Sequence, residues 1–530
     1  MKKIIVVLMA FCFTLILLLP VFLTAYDIPK NTINMMVGHY YEDYYEYLSF
    51  VSWGQKGNFF ISNLFTNNDP GRYLIPWWPY VFLGFGTYFM QIPVPPQVVY
   101  WSASFFFCFI LAILIYLNLA KLLKDYPWRV RLISFLAVLT ASPWFNFSWK
   151  EKIEIIPYNY WYAAGSPFAR FNIGTPHHQI AQIIFLLGLL WAGEFKEKSK
   201  GKVGKFALLS VLLFSVSFPL MLVFWLSFGI IGISFKRVAL LKLVGGVYLV
   251  GGLALSFFYL LLIKVLGVTP VHQGAGIWDS ANIYFPPLIL FILVSGPILF
   301  LGILGMPIYL KRLTYTKSLY LAVTIISFTA ILTTPLKSFW QFLGIHNLRF
   351  TTVGSYILLG AAAALLLHKI IKNKFLYLLA GALFISSSLP SFITFWQEAK
   401  KGPITAGYMQ YMPETIYQGL KFIGGQKDDS TVLTSSTSSL GLVVPALSQK
   451  KVYMGRSIFT PDLKERISEA DKFYGLKMDK KEAIDFMEKE KIGYVLALNL
   501  DANRNKLEKT YPFLKSVYNT YDLAIFKVEK

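Results

Sequence analysis

Residues 4–23 read IIVVLMAFCFTLILLLPVFL, an apolar run with Lys2 and Lys3 immediately before it. A bilayer's hydrocarbon core needs about 20 such residues in a helix, whereas the apolar core of a cleavable signal peptide is usually about 7 to 15. Leu23-Thr24-Ala25 is also a weak cleavage sequence. The run therefore predicts a first membrane span with a cytoplasmic N-terminus. Outward from it, 26–75 is polar and aromatic, and 76–91 is apolar but short and broken by Gly84 and Gly86, which suggests an interfacial segment. Further apolar runs fall at 98–120, 130–147, 178–195, 206–218, 219–235, 239–265, 284–309, 318–336, 351–367 and 375–394. They predict a polytopic α-helical membrane protein with about eleven transmembrane helices.

Composition agrees. Of the 530 residues, 55% are hydrophobic and only 15% charged, more apolar side chain than a soluble protein of this size covers with polar surface. A formal charge of +22 invites a nucleic-acid reading. That reading needs the basic residues clustered on a soluble face, and here they punctuate apolar runs instead. Alternate loops are basic: Lys121, Lys124, Arg129 and Arg131; Lys196 to Lys205; Lys236, Arg237 and Lys242; Lys311, Arg312 and Lys317; Lys369, Lys372 and Lys374. The positive-inside rule places these in the cytoplasm. An odd number of spans then puts everything after about 395 outside. Cys12 and Cys108 both lie in apolar runs, so neither a disulfide framework nor a cysteine metal site is available.

From Pro403 the composition becomes that of a soluble domain. Helix-like segments near 413–423, 461–475, 480–490 and 501–510 alternate with β-rich runs at 431–434, 451–453, 494–497 and 523–528. The reading is a transmembrane domain over 1–395, with outer loops 26–75 and 148–177, and a small extracytoplasmic α/β domain over 396–530.

Residues able to do chemistry concentrate in the outer loops. The first carries Glu42, Asp43, Glu46, Asp69 and Arg72; the second Glu151, Glu154, Arg170 and then Pro176-His177-His178 at the mouth of a span; later loops add His272, Asp279, His346 and Arg349. Carboxylates and imidazoles beside spans serve as bases, metal ligands or phosphate contacts, and any one alone is equally well an ordinary solvated residue. Glu42-Asp43, in a Tyr-rich segment soon after the first span, is the strongest pair. His177-His178 reads as well as an interfacial helix cap. The loop tyrosines and tryptophans read as a membrane belt rather than a sugar-stacking platform.

A first span, a long outer loop with an early acidic pair, many further spans and a C-terminal outer domain together resemble the C-type (GT-C) membrane glycosyltransferases. The bacterial branch similar to protein O-mannosyltransferases and aminoarabinose transferases is the nearest likeness. It is carried by Asp43-Tyr44-Tyr45-Glu46-Tyr47-Leu48-Ser49-Phe50-Val51 with Gly54 and Gly57, by Pro176-His177-His178, and by Val444-Pro445-Ala446 with Val452-Tyr453-Met454-Gly455-Arg456. The resemblance implies transfer of a sugar, a hexosyl group, from a polyprenyl-phosphate carrier to a protein, lipid or glycan acceptor at the outer membrane face. It implies inversion, with Asp43, or else Glu42, as general base. Arg349, Arg170, Arg72, His177 or His178 would supply positive charge and donors to the carrier phosphate. A second acidic residue is not obvious, with Glu154 and Asp279 as candidates; no cofactor is certain, and a divalent metal is left open. Competing readings are a lipid or glycan transporter and an inactive member that binds lipid-linked sugar or serves envelope assembly. A transporter predicts ionisable residues inside the spans and internal repeats, and neither is evident.

Overall fold

The computed structural model describes residues 2–38, 40–68, 72–73, 77–149, 153–157, 175–193, 202–234, 250–253, 279–311, 313–401 and 407–529. Two compact units emerge. One comprises the described residues within Met1–Pro20, Ser102–Leu261 and Asp279–Glu398, the other those within Val21–Trp101 and Ala399–Lys530.

Among the described residues, five helices are long and apolar enough to cross a membrane: Lys2–Leu23, Pro96–Leu122, Tyr315–Leu332, Val353–Ile370 and, within Lys374–Lys401, Phe375–Thr394. These establish a multi-pass helical membrane protein. The run at 284–309 differs from a simple span, because Leu288–Ser295 and Pro297–Leu310 meet at 101°. The bend sits on Gly296, whose φ of +73° favours glycine and where a Cβ would lie 1.9 Å from the Ser142 carbonyl oxygen. The run at 130–147 also divides: the helix Trp128–Leu139 stops before Ser142-Pro143, and Phe145–Trp149 pairs antiparallel with Ile153–Pro157. Pro176–Ala192, Lys202–Val216 and Phe218–Ser234 are shorter apolar helices. The run at 239–265 lies outside the described residues except 250–253. Within this unit Pro297–Leu310 packs on Val353–Ile370, where the run Ala361 to Ala364 is buried and lets the backbones approach.

The second unit joins the first polar loop to the C-terminal segment. Thr32–Asn34 pairs antiparallel with Tyr411–Pro413. Val452 donates its N–H to the Leu64 carbonyl (2.9 Å), and Asn63 donates its side-chain amide to the Phe459 carbonyl (2.8 Å). The division at 395 follows composition, whereas these contacts group the first loop with the C-terminal segment. The apolar segment 76–91 forms the helix Trp78–Phe89 and packs on Tyr41–Gln55. The seam is made by two glycines: a Cβ on Gly84 would meet the Val51 carbonyl oxygen at 1.9 Å, and one on Gly54 the Val81 carbonyl oxygen at 2.1 Å.

The C-terminal segment carries a four-stranded sheet in the order Thr431–Thr434, Ile492–Leu498, Leu523–Val528, Leu514–Asn519. The first pair is parallel and the other two antiparallel. Helices Leu463–Tyr474 and Lys480–Lys489 cover it, burying Phe473 and Phe486 against Leu433, Val495 and Phe526. Three of the four β-rich runs fall on strands of this sheet; the fourth strand is Leu514–Asn519, which the sequence reading does not include, and Lys451 to Tyr453 contributes only an isolated bridge, Val432 to Val452.

Candidate active site

Tyr41–Gln55 is the helix that presents the acidic pair. Glu42 and Asp43 stand in its first turn, where the positive end of the helix dipole favours carboxylates. The tyrosines between them and the helix end turn inward. Tyr44 donates its hydroxyl to the Met35 carbonyl (2.7 Å), Tyr45 to the Met409 carbonyl (2.5 Å), and the Tyr47 ring stacks on Tyr80 at 4.5 Å. All three are buried, so they form core and not an interfacial belt. The other end is fastened by Ser52, which donates to the Ala446 carbonyl (2.6 Å) and accepts at its own carbonyl from Gln449 (2.5 Å).

Glu46 lies one turn below Glu42 and is buried. The three carboxylates converge on one guanidinium, that of Arg456. Arg456 donates from Nη1 to Glu42, from Nη2 to Asp43 and from Nε to Glu46, the last at 3.1 Å. The arginine side chain is 10% exposed, Glu46 3%, Glu42 26% and Asp43 36%. Its guanidinium also lies over the Tyr40 ring at 5.7 Å. Adjacent helical positions point about 100° apart, so only one of Glu42 and Asp43 is expected to face a common point. Here both do, because the planar fork spreads its donors across the angle between them.

Burial is the main influence on Glu46 and, against the pull of Arg456, pushes its carboxyl up to about 8, with Asp43 and Glu42 adding to the rise. Arg456 moves upward: burial opposes its charge, but Glu46, Asp43 and Glu42 together outweigh it. Burial and the neighbouring Glu42 carboxylate push the Tyr40 phenol up to about 12.

The loop bearing Arg456 is itself fixed. Gly455 donates its N–H to the Thr460 hydroxyl (3.1 Å), and the Arg456 carbonyl accepts from the N–H groups of Phe459 (2.9 Å) and Thr460 (3.0 Å). A Cβ on Gly455 would press on the Gly441 carbonyl oxygen at 2.8 Å, so the bare backbone sets where the arginine starts.

The membrane unit holds a second constellation. Arg349 donates from Nε and Nη2 to the two Asp279 oxygens at 2.7 and 2.8 Å, a bidentate pair. Arg349 sits in the 3-10 turn Asn347–Phe350, which Asn347 anchors by donating to the Tyr284 (2.8 Å) and Ile331 (3.0 Å) carbonyls. His346 caps that turn by accepting from Leu348 N–H (3.1 Å), and burial, with Arg349 beside it, holds its imidazole below the usual range. His177 and His178 open the helix Pro176–Ala192 with ring centroids 4.0 Å apart; His177 is buried and His178 half-buried.

Of the remaining predicted site residues, Arg72 pairs its backbone with Ser62 and Glu154 with Ser148; the side chains of both lie outside the described residues, as does Arg170 altogether. Sequence reasoning assigned no role to Arg456 or Glu46. Their signals are there: a lone arginine closing the apolar Val452-Tyr453-Met454-Gly455, and a third acid four residues after Glu42.

No family model and no curated protein sequence matches the chain. The fold, however, is that of the C-type membrane glycosyltransferases. An oligosaccharyltransferase from Archaeoglobus fulgidus, in complex with Zn and sulfate, superposes with a TM-score of 0.53 at 12% identity, over 96% of this chain and 71% of that one. ArnT from Cupriavidus metallidurans bound to undecaprenyl phosphate gives 0.52 at 11% identity, over 97% of each chain. The arabinofuranosyltransferase AftD from Mycobacteria gives 0.52 at 12% identity, over 99% of this chain and 41% of that larger one.

The zinc in the first of these prompts a test of the residues here. Among the described residues no group of three or more His, Cys, Asp or Glu is arranged to hold a metal ion, and the three carboxylates of the acidic helix each meet Arg456. The described residues do not fit a metal, and no step below runs through one.

Proposed function

We propose that this chain transfers a sugar from a polyprenyl-phosphate carrier to an acceptor at the outer membrane face, inverting the anomeric carbon, with Asp43 as general base. The observation that carries the reading is a carboxylate on the first helical turn beyond the first span, 36% exposed and held in a fixed direction by a buried guanidinium. The fold supports it, since solved proteins of this fold hold undecaprenyl phosphate, and the Archaeoglobus enzyme has been seen with dolichol-phosphate and a peptide.

An acceptor hydroxyl is a weak nucleophile. As its oxygen bonds to the anomeric carbon, Asp43 takes the hydroxyl proton and the bond from that carbon to the phosphate oxygen breaks, its electron pair leaving with the polyprenyl phosphate. A phosphate leaves without a strong acid if cationic donors receive its charge. Arg349, half exposed beside Asp279, is our proposed phosphate contact.

The test is to incubate purified protein with a panel of polyprenyl-phosphate sugars, following carrier release and glycosylated product. Release coupled to product in the wild type and lost in Asp43→Asn is the expected result. Binding of carrier without release by any donor would instead favour a lipid-linked-sugar binding protein. Orientation is tested separately: a membrane-impermeant thiol reagent should label Ser435→Cys and not Ser199→Cys in intact cells, and the reverse pattern removes the outer-face assignment.

A further inference from the structure

The acidic cluster raises a question of charge that the transfer chemistry does not answer. Three carboxylates stand within little more than one turn of a single helix, and like charges so placed repel. Carboxylate oxygens are the donors that hard divalent cations take, but here Glu42, Asp43 and Glu46 are arranged around a guanidinium and not around a metal-sized point. One oxygen of each, Glu42 Oε2, Asp43 Oδ1 and Glu46 Oε2, already accepts from a different nitrogen of Arg456, so a cation at their meeting point would have to displace the guanidinium.

The guanidinium is also built in. It is buried, its loop is closed by the Thr460 hydroxyl and by the turn from Arg456 to Thr460, and its backbone origin is fixed by the close approach of Gly455 to Gly441. Phe459, three residues on, packs on Phe65, Trp77 and Phe50 at 5.3 to 6.3 Å, so swinging the arginine out would disturb an aromatic cluster of the same unit.

We infer that Arg456 is the resident cation of this acidic cluster, standing where a divalent metal ion would otherwise be bound and positioning Asp43 in its place. Arg456 is in this sense a positioning residue, acting through the carboxylates and not on the sugar. A planar fork and a metal ion make different demands: the guanidinium orients each carboxylate through one directed N–H, whereas a metal would draw them into a shell around a point. Its charge arrives with the polypeptide, so the repulsion within the cluster is offset in part without recruiting an ion from solution.

The experiment measures Mn2+ uptake by the full-length purified protein in detergent, by electron paramagnetic resonance of free Mn2+, and does not measure sugar transfer. Its failure is therefore distinct from failure of the transferase reading. The wild type should take up no more Mn2+ than the Glu42→Gln/Asp43→Asn double variant, because the guanidinium holds the cluster. Arg456→Gln should take up an added equivalent that disappears when Glu42→Gln and Asp43→Asn are combined with it. Wild-type protein that binds Mn2+ and loses it in the double variant overturns the inference, and this arm needs no change at position 456. Arg456→Gln that remains folded and gains no uptake also overturns it. If Arg456→Gln does not fold, Arg456→Lys decides, since an ammonium lacks the fork and leaves carboxylate oxygens open: uptake above wild type supports the inference, and uptake equal to wild type counts against it.

Discussion

Arg456 gathers three carboxylates and is 10% exposed, whereas Arg349 meets Asp279 as a bidentate pair and is 45% exposed. Both are arginine–acid constellations, yet they are built for different ends. A buried cation with three partners cannot exchange one for a ligand without leaving the others badly compensated. In the Arg349–Asp279 pair the arginine is 45% exposed and the carboxylate 11%, so the outer side of the guanidinium fork is open to a phosphate while Asp279 holds it. On the proposed function, the first is a frame that would aim the base and the second a contact that would receive the carrier phosphate.

The harshest way to break this comparison is Arg456→Gln. Removing one partner of a buried ionic network typically costs about 3–5 kcal/mol, and here it leaves three acids facing each other. Thermal unfolding of the purified protein should show a large drop, while Arg349→Gln, which strands one carboxylate and not three, should lower the melting point less. Equal losses in the two variants would erase the distinction between frame and contact.

Asp43→Asn sharpens it next. The amide is nearly isosteric but cannot take a proton, so turnover should fall by about 100-fold to 10,000-fold with folding preserved. Glu42→Gln should cost less, because Glu42 is the less exposed of the two. Loss of turnover in Glu42→Gln with retention in Asp43→Asn would reverse the assignment within the pair.

Arg349→Lys keeps the charge and loses the fork. Donor affinity should weaken by about tenfold, a difference of about 1.4 kcal/mol, measured by competition with a polyprenyl phosphate. Unchanged affinity in both Arg349→Lys and Arg349→Ala would leave Arg349 a structural residue that holds Asp279.

The smallest effect is a slope. Glu46 is held up to about 8, against an ordinary value of 4.5, so the folded protein keeps a proton there that the unfolded chain has released. Stability from this group is therefore full below about 4.5 and is lost as pH rises through about 8. The melting temperature of the wild type should decline across that window, and Glu46→Gln should flatten the decline. An identical slope in Glu46→Gln would show that other groups carry it.

How much of this could be read from the sequence varies with range. Lys2–Leu23, Pro96–Leu122 and Phe375–Thr394 were legible because a span needs only length and apolarity, which are local. Strands Thr431–Thr434 and Leu523–Val528 were legible from β-rich runs, while Leu514–Asn519, with Lys515 and Ser516 in it, carries a weak apolar signal and takes its form from pairing with its neighbour. The bend at Gly296 was hidden because residues on both sides are apolar enough for one span. In the site, Glu42 and Asp43 stood out as a pair, but the partner that aims them did not. Nothing in local periodicity links Arg456 to Glu46 across a separation of 410 residues, and composition placed them in different domains.

That separation has a consequence for how the molecule is made. At about 5–20 residues per second, a ribosome that has just added Glu46 needs roughly 20 to 80 seconds to reach Arg456. Throughout that interval the acids of the nascent chain lack their counter-charge, and the strand Thr32–Asn34 awaits Tyr411–Pro413. A chain cut short between residues 401 and 456 would carry the five long apolar helices and still lack the guanidinium that meets its acids. The earliest loop therefore acquires its partner strand and its guanidinium only in the last quarter of synthesis.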